Sequence, residues 1–182
     1  MLKFLKEVLR TGQATQKYPF GPAEVSKDFR GKPEHDPVRC IACAACTVAC
    51  PANALSMTTD LEAGTRTWMI NYGQCVFCGR CEESCPTAAI SLTPEFELAV
   101  GRKDDLLKRA VFNLAYCRAC GDAFSSVKEV DYVARILGSY ATTPDEAERF
   151  RQHAEICPEC KRKADVTQVA RANAVRQMET PR

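Results

Sequence analysis

The apolar and polar positions divide the chain into four stretches. In residues 1–15, Met1, Leu5, Val8 and Leu9 share one face of a helix while Lys3, Lys6 and Arg10 lie toward the other, which predicts a basic amphipathic helix. Residues 16–39 hold Pro19, Pro22, Pro33 and Pro37; each lacks an amide donor and fixes its own φ, so this stretch is expected to be an extended arm without long helices. Between Leu55 and Tyr72, "LSMTTDLEAGTRTWMINY" alternates around the turn signal "EAG" and predicts a β-hairpin that Trp68 covers with apolar surface. On either side of the hairpin the same order recurs: a cysteine run, a proline, an alanine-rich turn ("ANAL", "TAAI") and a short β-prone piece. That duplication predicts two pseudo-symmetric halves of one small α+β unit over residues 40–94.

Residues 95–182 form an extension. Leu107, Ala110, Val111 and Leu114 have helical spacing, yet "AVFNLAYC" also suits a strand, and the expectation is a short helix at 103–108 followed by a strand. Ser126 and Glu129 make a capping box for a helix through about Leu137, with Val127, Val130, Ala134 and Leu137 along one side. Thr143, Pro144 and Glu146 open a second helix that runs to the region of His153. The expected units are an N-terminal helix and docking arm (1–39), the duplicated unit (40–94), a C-terminal extension (95–163) and a tail (164–182).

Twelve cysteines among 182 residues exceed ordinary usage and change the picture. The opening "MLKFLKEVLR" breaks its apolar positions with charge, so no signal-peptide core is expected, and no stretch approaches the ~20 apolar residues of a membrane-spanning helix. In the cytosolic setting this implies, disulfides are rare and metal binding is the default use of cysteine. A chain of this length leaves no room for a large catalytic core, so a subunit or carrier is expected.

The runs "CIACAACTVACP" and "CVFCGRCEESCP" each read C-x2-C-x2-C-x3-C-P. Two-residue spacers wrap the backbone around three corners of a [4Fe–4S] cube, and in this pattern the fourth cysteine ligates the other cluster. One cluster is therefore expected on Cys40, Cys43, Cys46 and Cys85, and the second on Cys75, Cys78, Cys81 and Cys50. The small Ala42, Ala44, Ala45 and Gly79 let backbone N–H groups approach the sulfurs, while Pro51 and Pro86 fix the turns that follow. Arg80 favours the reduced state of its cluster, and Glu82 and Glu83 oppose it. Zinc sites use paired C-x2-C knuckles and do not need triple runs closed by x3-C-P. The sequence contains no nucleophile–base arrangement and no phosphate-cradling loop, so the expected chemistry is passage of single electrons with no catalytic site in the chain itself.

Cys117 and Cys120, with Cys157 and Cys160, form two further C-x2-C knuckles suited to a tetrahedral S4 site for Zn2+ or a single rubredoxin-like iron. Zinc is the commoner structural use and would close the intervening helices into a lobe. His153 reads as a solvated helix residue beside four available thiolates. The formal charge of +2 treats every cysteine as neutral. Eight thiolates with two [4Fe–4S]2+ cores contribute −8 and +4, leaving about −2; four more with a divalent ion contribute −4 and +2, leaving about −4. A mildly acidic loaded chain gives no ground for nucleic-acid binding.

"YPF" at 18–20, "FRGKPE" at 29–34, both cysteine runs and "FELAV" together resemble the two-cluster subunits of respiratory complex I and of membrane-bound [NiFe] hydrogenases. The added "CRAC" and "CPECKR" make the chain most similar to the small iron–sulfur subunits of formate hydrogenlyase and hydrogenase-4 type complexes, with Ala42 where that family usually has glycine. The resemblance implies a two-cluster bacterial-type ferredoxin fold and a relay between another ferredoxin-like input subunit and the complex I-like hydrogenase subunits. It implies docking on a membrane arm, as a peripheral subunit on the cytoplasmic side. The amphipathic start then suits docking on a partner at the membrane surface or on lipid. The equivalent complex I subunit, whose resemblance stops near residue 100, and a protein whose metals only staple it are the competing readings.

Overall fold

The computed structural model describes residues 2–13, 15, 17–21, 23–26 and 28–179, with side chains to residue 172. Met1, Pro22 and the tail's last residues, 180–182, lie outside the described residues. Helix α1 (Leu2–Thr11) forms where the apolar spacing predicts it, and every one of its residues is exposed. The arm then runs extended to Gly31, whose amide donates to the Thr93 carbonyl at 2.9 Å. A Cβ at Gly31 would overlap the carbonyl oxygens of Thr93 and Glu95, so only glycine permits this approach. The arm continues into β1 (Pro33–His35), antiparallel to β4 (Ile90–Leu92) with Glu34 opposite Ser91.

The hairpin consists of β2 (Leu55–Asp60) and β3 (Thr65–Asn71). Its turn is shaped by Asp60, whose carboxylate accepts the amides of Glu62 and Ala63, and by Gly64 at φ 64°. Trp68 is fully buried, and with Leu55, Ile70 and Phe112 it makes the centre of the core. Short helices α2 (Ala45–Ala49) and α3 (Arg80–Glu83) lie within the two cysteine runs.

The duplication extends to individual dihedrals. Ala42 and Phe77 (φ 55° and 52°), Ala44 and Gly79 (63° and 82°), and Asn53 and Ala88 (50° and 49°) are left-handed pairs at equivalent places in the two halves. A left-handed conformation costs an L-residue roughly 1 kcal/mol or more, so its repetition shows two loops built to one backbone design. It also gives the reason a glycine suits the position that alanine holds at 42.

In the extension, the helix expected at 103–108 is replaced by a single 3-10 turn, Lys103–Leu106. The segment after it is the ten-residue strand β5 (Leu107–Tyr116). Strand pairing overrides the helical spacing here, because β3 offers a full antiparallel partner from Asn71 opposite Leu107 to Thr65 opposite Asn113. With β6 (Ala123–Ser126) the sheet order is β2-β3-β5-β6.

Helix α4 (Val127–Gly138) begins as expected, with the Ser126 hydroxyl accepting the Glu129 amide at 3.1 Å. The return half of the capping box is not made, since Glu129 accepts from the Ser125 hydroxyl instead and faces Arg66 at 3.8 Å. Helix α5 (Pro144–Ala154) is capped by Thr143 and packs on α4. The tail from residue 164 continues α6 (Pro158–Glu179).

Candidate metal centres

The eight cysteines of the two runs are divided between two cavities. Cys40, Cys43, Cys46 and Cys85 line the first; Cys50, Cys75, Cys78 and Cys81 line the second. Each thus takes three cysteines from one run and one from the other. The fourth cysteine of each run is held in the same way, Cys50 accepting the Ala54 amide at 3.3 Å and Cys85 the Ala89 amide at 3.1 Å. Cys40 accepts the Ala42 amide at 3.4 Å. Four sulfurs around one apolar space, met by backbone N–H groups, fit a [4Fe–4S] cluster.

Burial pushes the free thiols up, Cys40 to about 11 and Cys81 to about 12. At Cys85 burial is outweighed by N–H donors, led by Ala89, and the thiol falls below its usual value. Binding iron to the raised thiols releases protons, which couples loading to folding of the loops.

The last four cysteines are arranged differently. The sulfurs of Cys117, Cys120, Cys157 and Cys160 all lie within 4.8 Å of one another, the one such compact group of metal-ligating side chains among the described residues. Cys120 and Cys157 are 3.8 Å apart, and a tetrahedron with metal–sulfur bonds of 2.3 Å has edges of ~3.8 Å. Cys117 accepts the Cys157 amide at 3.2 Å, and this bond leads the causes that hold its thiol down at about 6. One knuckle follows β5, and the other leads into α6, where Pro158 and Cys160 stand in the first turn. His153 is exposed on α5 and stands outside the four-sulfur group.

The 4Fe-4S dicluster domain family matches residues 39–89. Over 178 residues, 98% of this chain and 98% of the relative, the sequence is 48% identical to formate hydrogenlyase subunit 6 of Escherichia coli (strain K12). The chain belongs to the formate hydrogenlyase subunit 6 family. A solved structure of the membrane-bound sulfane sulfur reductase, described as an archaeal respiratory membrane complex, contains a chain that is 31% identical, with a TM-score of 0.43. That match covers 57% of this chain and 56% of the other. No helix among the described residues is long and apolar enough to cross a membrane.

The match to the 4Fe-4S dicluster family fits the two cysteine cavities, and the walls of those cavities include residues that sequence patterns did not single out. His35 is buried and stacks on Trp68, with centroids 3.8 Å apart and planes at 15°. Both rings line the first cavity. Burial, then the charge of Lys108, push the imidazole down to about 4. A three-residue strand gives no period from which the inward direction of His35 could be read. Arg66 and Arg30 were also missed: Arg66 donates to the Ala42 carbonyl at 3.2 Å and Arg30 to that of Cys78 at 3.1 Å, so each run receives one guanidinium.

Proposed function

We propose that this chain relays single electrons through two [4Fe–4S] clusters as a subunit of a formate hydrogenlyase-type membrane-bound [NiFe] hydrogenase complex. The observation that carries this reading is the division of eight cysteines into two cavities, each crossed between the runs. In it, Cys40, Cys43, Cys46 and Cys85 hold one cluster, and Cys75, Cys78, Cys81 and Cys50 hold the other. The clusters supply one-electron redox chemistry when bound. The chain's own residues hold the sulfurs, present N–H groups to them and line both spaces largely with apolar side chains. No substrate site is required, and hydrogen chemistry belongs to a [NiFe] subunit. Similarity over 98% of the chain, knuckles included, favours this reading over the complex I subunit.

The Cys117, Cys120, Cys157 and Cys160 site holds zinc in this proposal and joins the end of β5 to the start of α6. Partners are the complex I-like large and small hydrogenase subunits, a ferredoxin-like input subunit and the membrane arm, on the cytoplasmic side of the membrane. The unpartnered α1 supplies a contact at the membrane surface, its apolar face on a neighbouring subunit. Reduced, fully loaded protein is expected to give two interacting [4Fe–4S] signals in electron paramagnetic resonance and to co-purify with a [NiFe] large subunit. Full iron loading without those signals would sink the relay, and their presence in a chain that never associates with a [NiFe] subunit would sink the complex.

A further inference from the structure

The two cavities match in their backbone and differ in their side chains. The amides of Ala54 and Ala89 occupy equivalent places on Cys50 and Cys85, and each run has one guanidinium on a carbonyl. Beyond its cysteines, the second cavity is lined only by apolar side chains and a glycine. The first cavity has the rings of His35 and Trp68 and the hydroxyl of Thr87, which lies 3.7 Å from the Cys85 sulfur. His35 is 5% exposed and Trp68 is 0% exposed, yet His35 Nε2 and Trp68 Nε1 are enclosed without a hydrogen-bond partner. The indole Nε1–H is always a donor, and the neutral imidazole donates from Nε2 in one of its two tautomers; a donor enclosed on a cavity without a partner is costly, which points to an acceptor within that cavity.

We propose that Trp68 and His35 are positioning donors to the sulfurs of the cluster on Cys40, Cys43, Cys46 and Cys85, and that they make it the higher-potential cluster of the pair. Reduction adds one electron's charge that is spread over iron and sulfur, so N–H donors stabilise the reduced form more than the oxidised form. Charges of both signs stand near each cavity: Asp36 lies beside His35, and Arg30 donates to the Cys78 carbonyl at 3.1 Å beside the second cavity. Arg66 is partly offset by Glu129 at 3.8 Å, and Lys108 and Lys128 act on the His35 side. In the second run, Arg80, Glu82 and Glu83 are all exposed. Electrons entering the chain therefore come to rest on the first cluster. The inference rests on the ligand assignment proposed above.

The test is a potentiometric titration of the loaded full chain, followed by electron paramagnetic resonance. Cys40→Ser and Cys75→Ser first assign the two signals; if both alter the same signal, the ligand assignment has failed, not the donor pair. With the signals assigned, the one altered by Cys40→Ser is expected to have the higher midpoint in the wild type. Trp68→Phe removes the N–H and keeps a ring; its expected effect is about a tenfold fall in that cluster's share of the electron, ~59 mV for a one-electron couple, with the other midpoint unmoved. His35→Phe is expected to shift the same signal in the same direction and decides the matter should Trp68→Phe not load iron. A lower wild-type midpoint for the Cys40 cluster, or variants that load fully and move neither midpoint, overturns the proposal.

Discussion

The Ser126 hydroxyl donates to the Ile41 carbonyl at 2.5 Å, across 85 positions of sequence, while its oxygen accepts the Glu129 amide at 3.1 Å. One buried side chain therefore caps α4 and ties the extension to the first cysteine run. Lys128 reinforces the junction by donating to the carbonyls of Pro37 and Val38 at 2.6 and 2.9 Å. Ser126→Ala loses the cap and leaves the buried Ile41 carbonyl unpaired, an expected loss of ~1–3 kcal/mol. Chemical denaturation would measure it, and faster bleaching of the first cluster than the second should accompany it.

Cys50→Ala tests crossed ligation. The damage is expected in the cluster held by Cys75, Cys78 and Cys81, although Cys50 belongs to the first run. Cys85→Ala is the mirror case and should affect the cluster held by Cys40, Cys43 and Cys46. Spectra in which each substitution damages the cluster of its own run would refute the crossing.

Metal content separates the C-terminal site from the clusters. The loaded chain is expected to contain about eight irons and about one zinc, whereas about nine irons would assign a mononuclear iron to the knuckles. Cys157→Ser should release that ion and open α5 and α6 to limited proteolysis, with both cluster signals retained. Loss of the clusters along with the ion would mean that the site does more than staple the lobe.

Gly31→Ala places a methyl group against the Thr93 and Glu95 carbonyls, where the arm joins the body. Backbone cannot yield as a flexible side chain does, so a destabilisation of ~1–3 kcal/mol is expected. The hydrogen bond from the residue-31 amide to the Thr93 carbonyl should be lost with it, read as faster amide exchange at position 31 in the variant than in the wild type.

Deleting residues 1–12 is expected to weaken association with the rest of the complex and leave both clusters in place, because α1 buries none of its residues against the body. Iron content and co-purification are the paired measurements. Loss of both clusters on deletion would reject docking as the role of α1.

The cysteine spacing by itself carries the expectation of two [4Fe–4S] clusters on crossed cysteines, because a ligand run has to follow the geometry of the cube it wraps, and the two cavities group the cysteines in the same way. Local chemistry also determined the hairpin, the caps at Ser126 and Thr143 and the two C-x2-C knuckles, since each depends on residues within a few positions of one another. Only the tertiary structure decided that Leu107–Tyr116 is a strand, because the choice lay in the free edge of β3, not in the segment's own pattern. It likewise decided that Glu129 turns from its capping box to Ser125 and Arg66, and that His35 stacks on Trp68. His35 and Trp68 meet only when the arm, the hairpin and both cysteine runs close around one cavity. No local spacing encodes that meeting, so the side-chain asymmetry between the two halves was invisible in a sequence whose repeat makes them look alike.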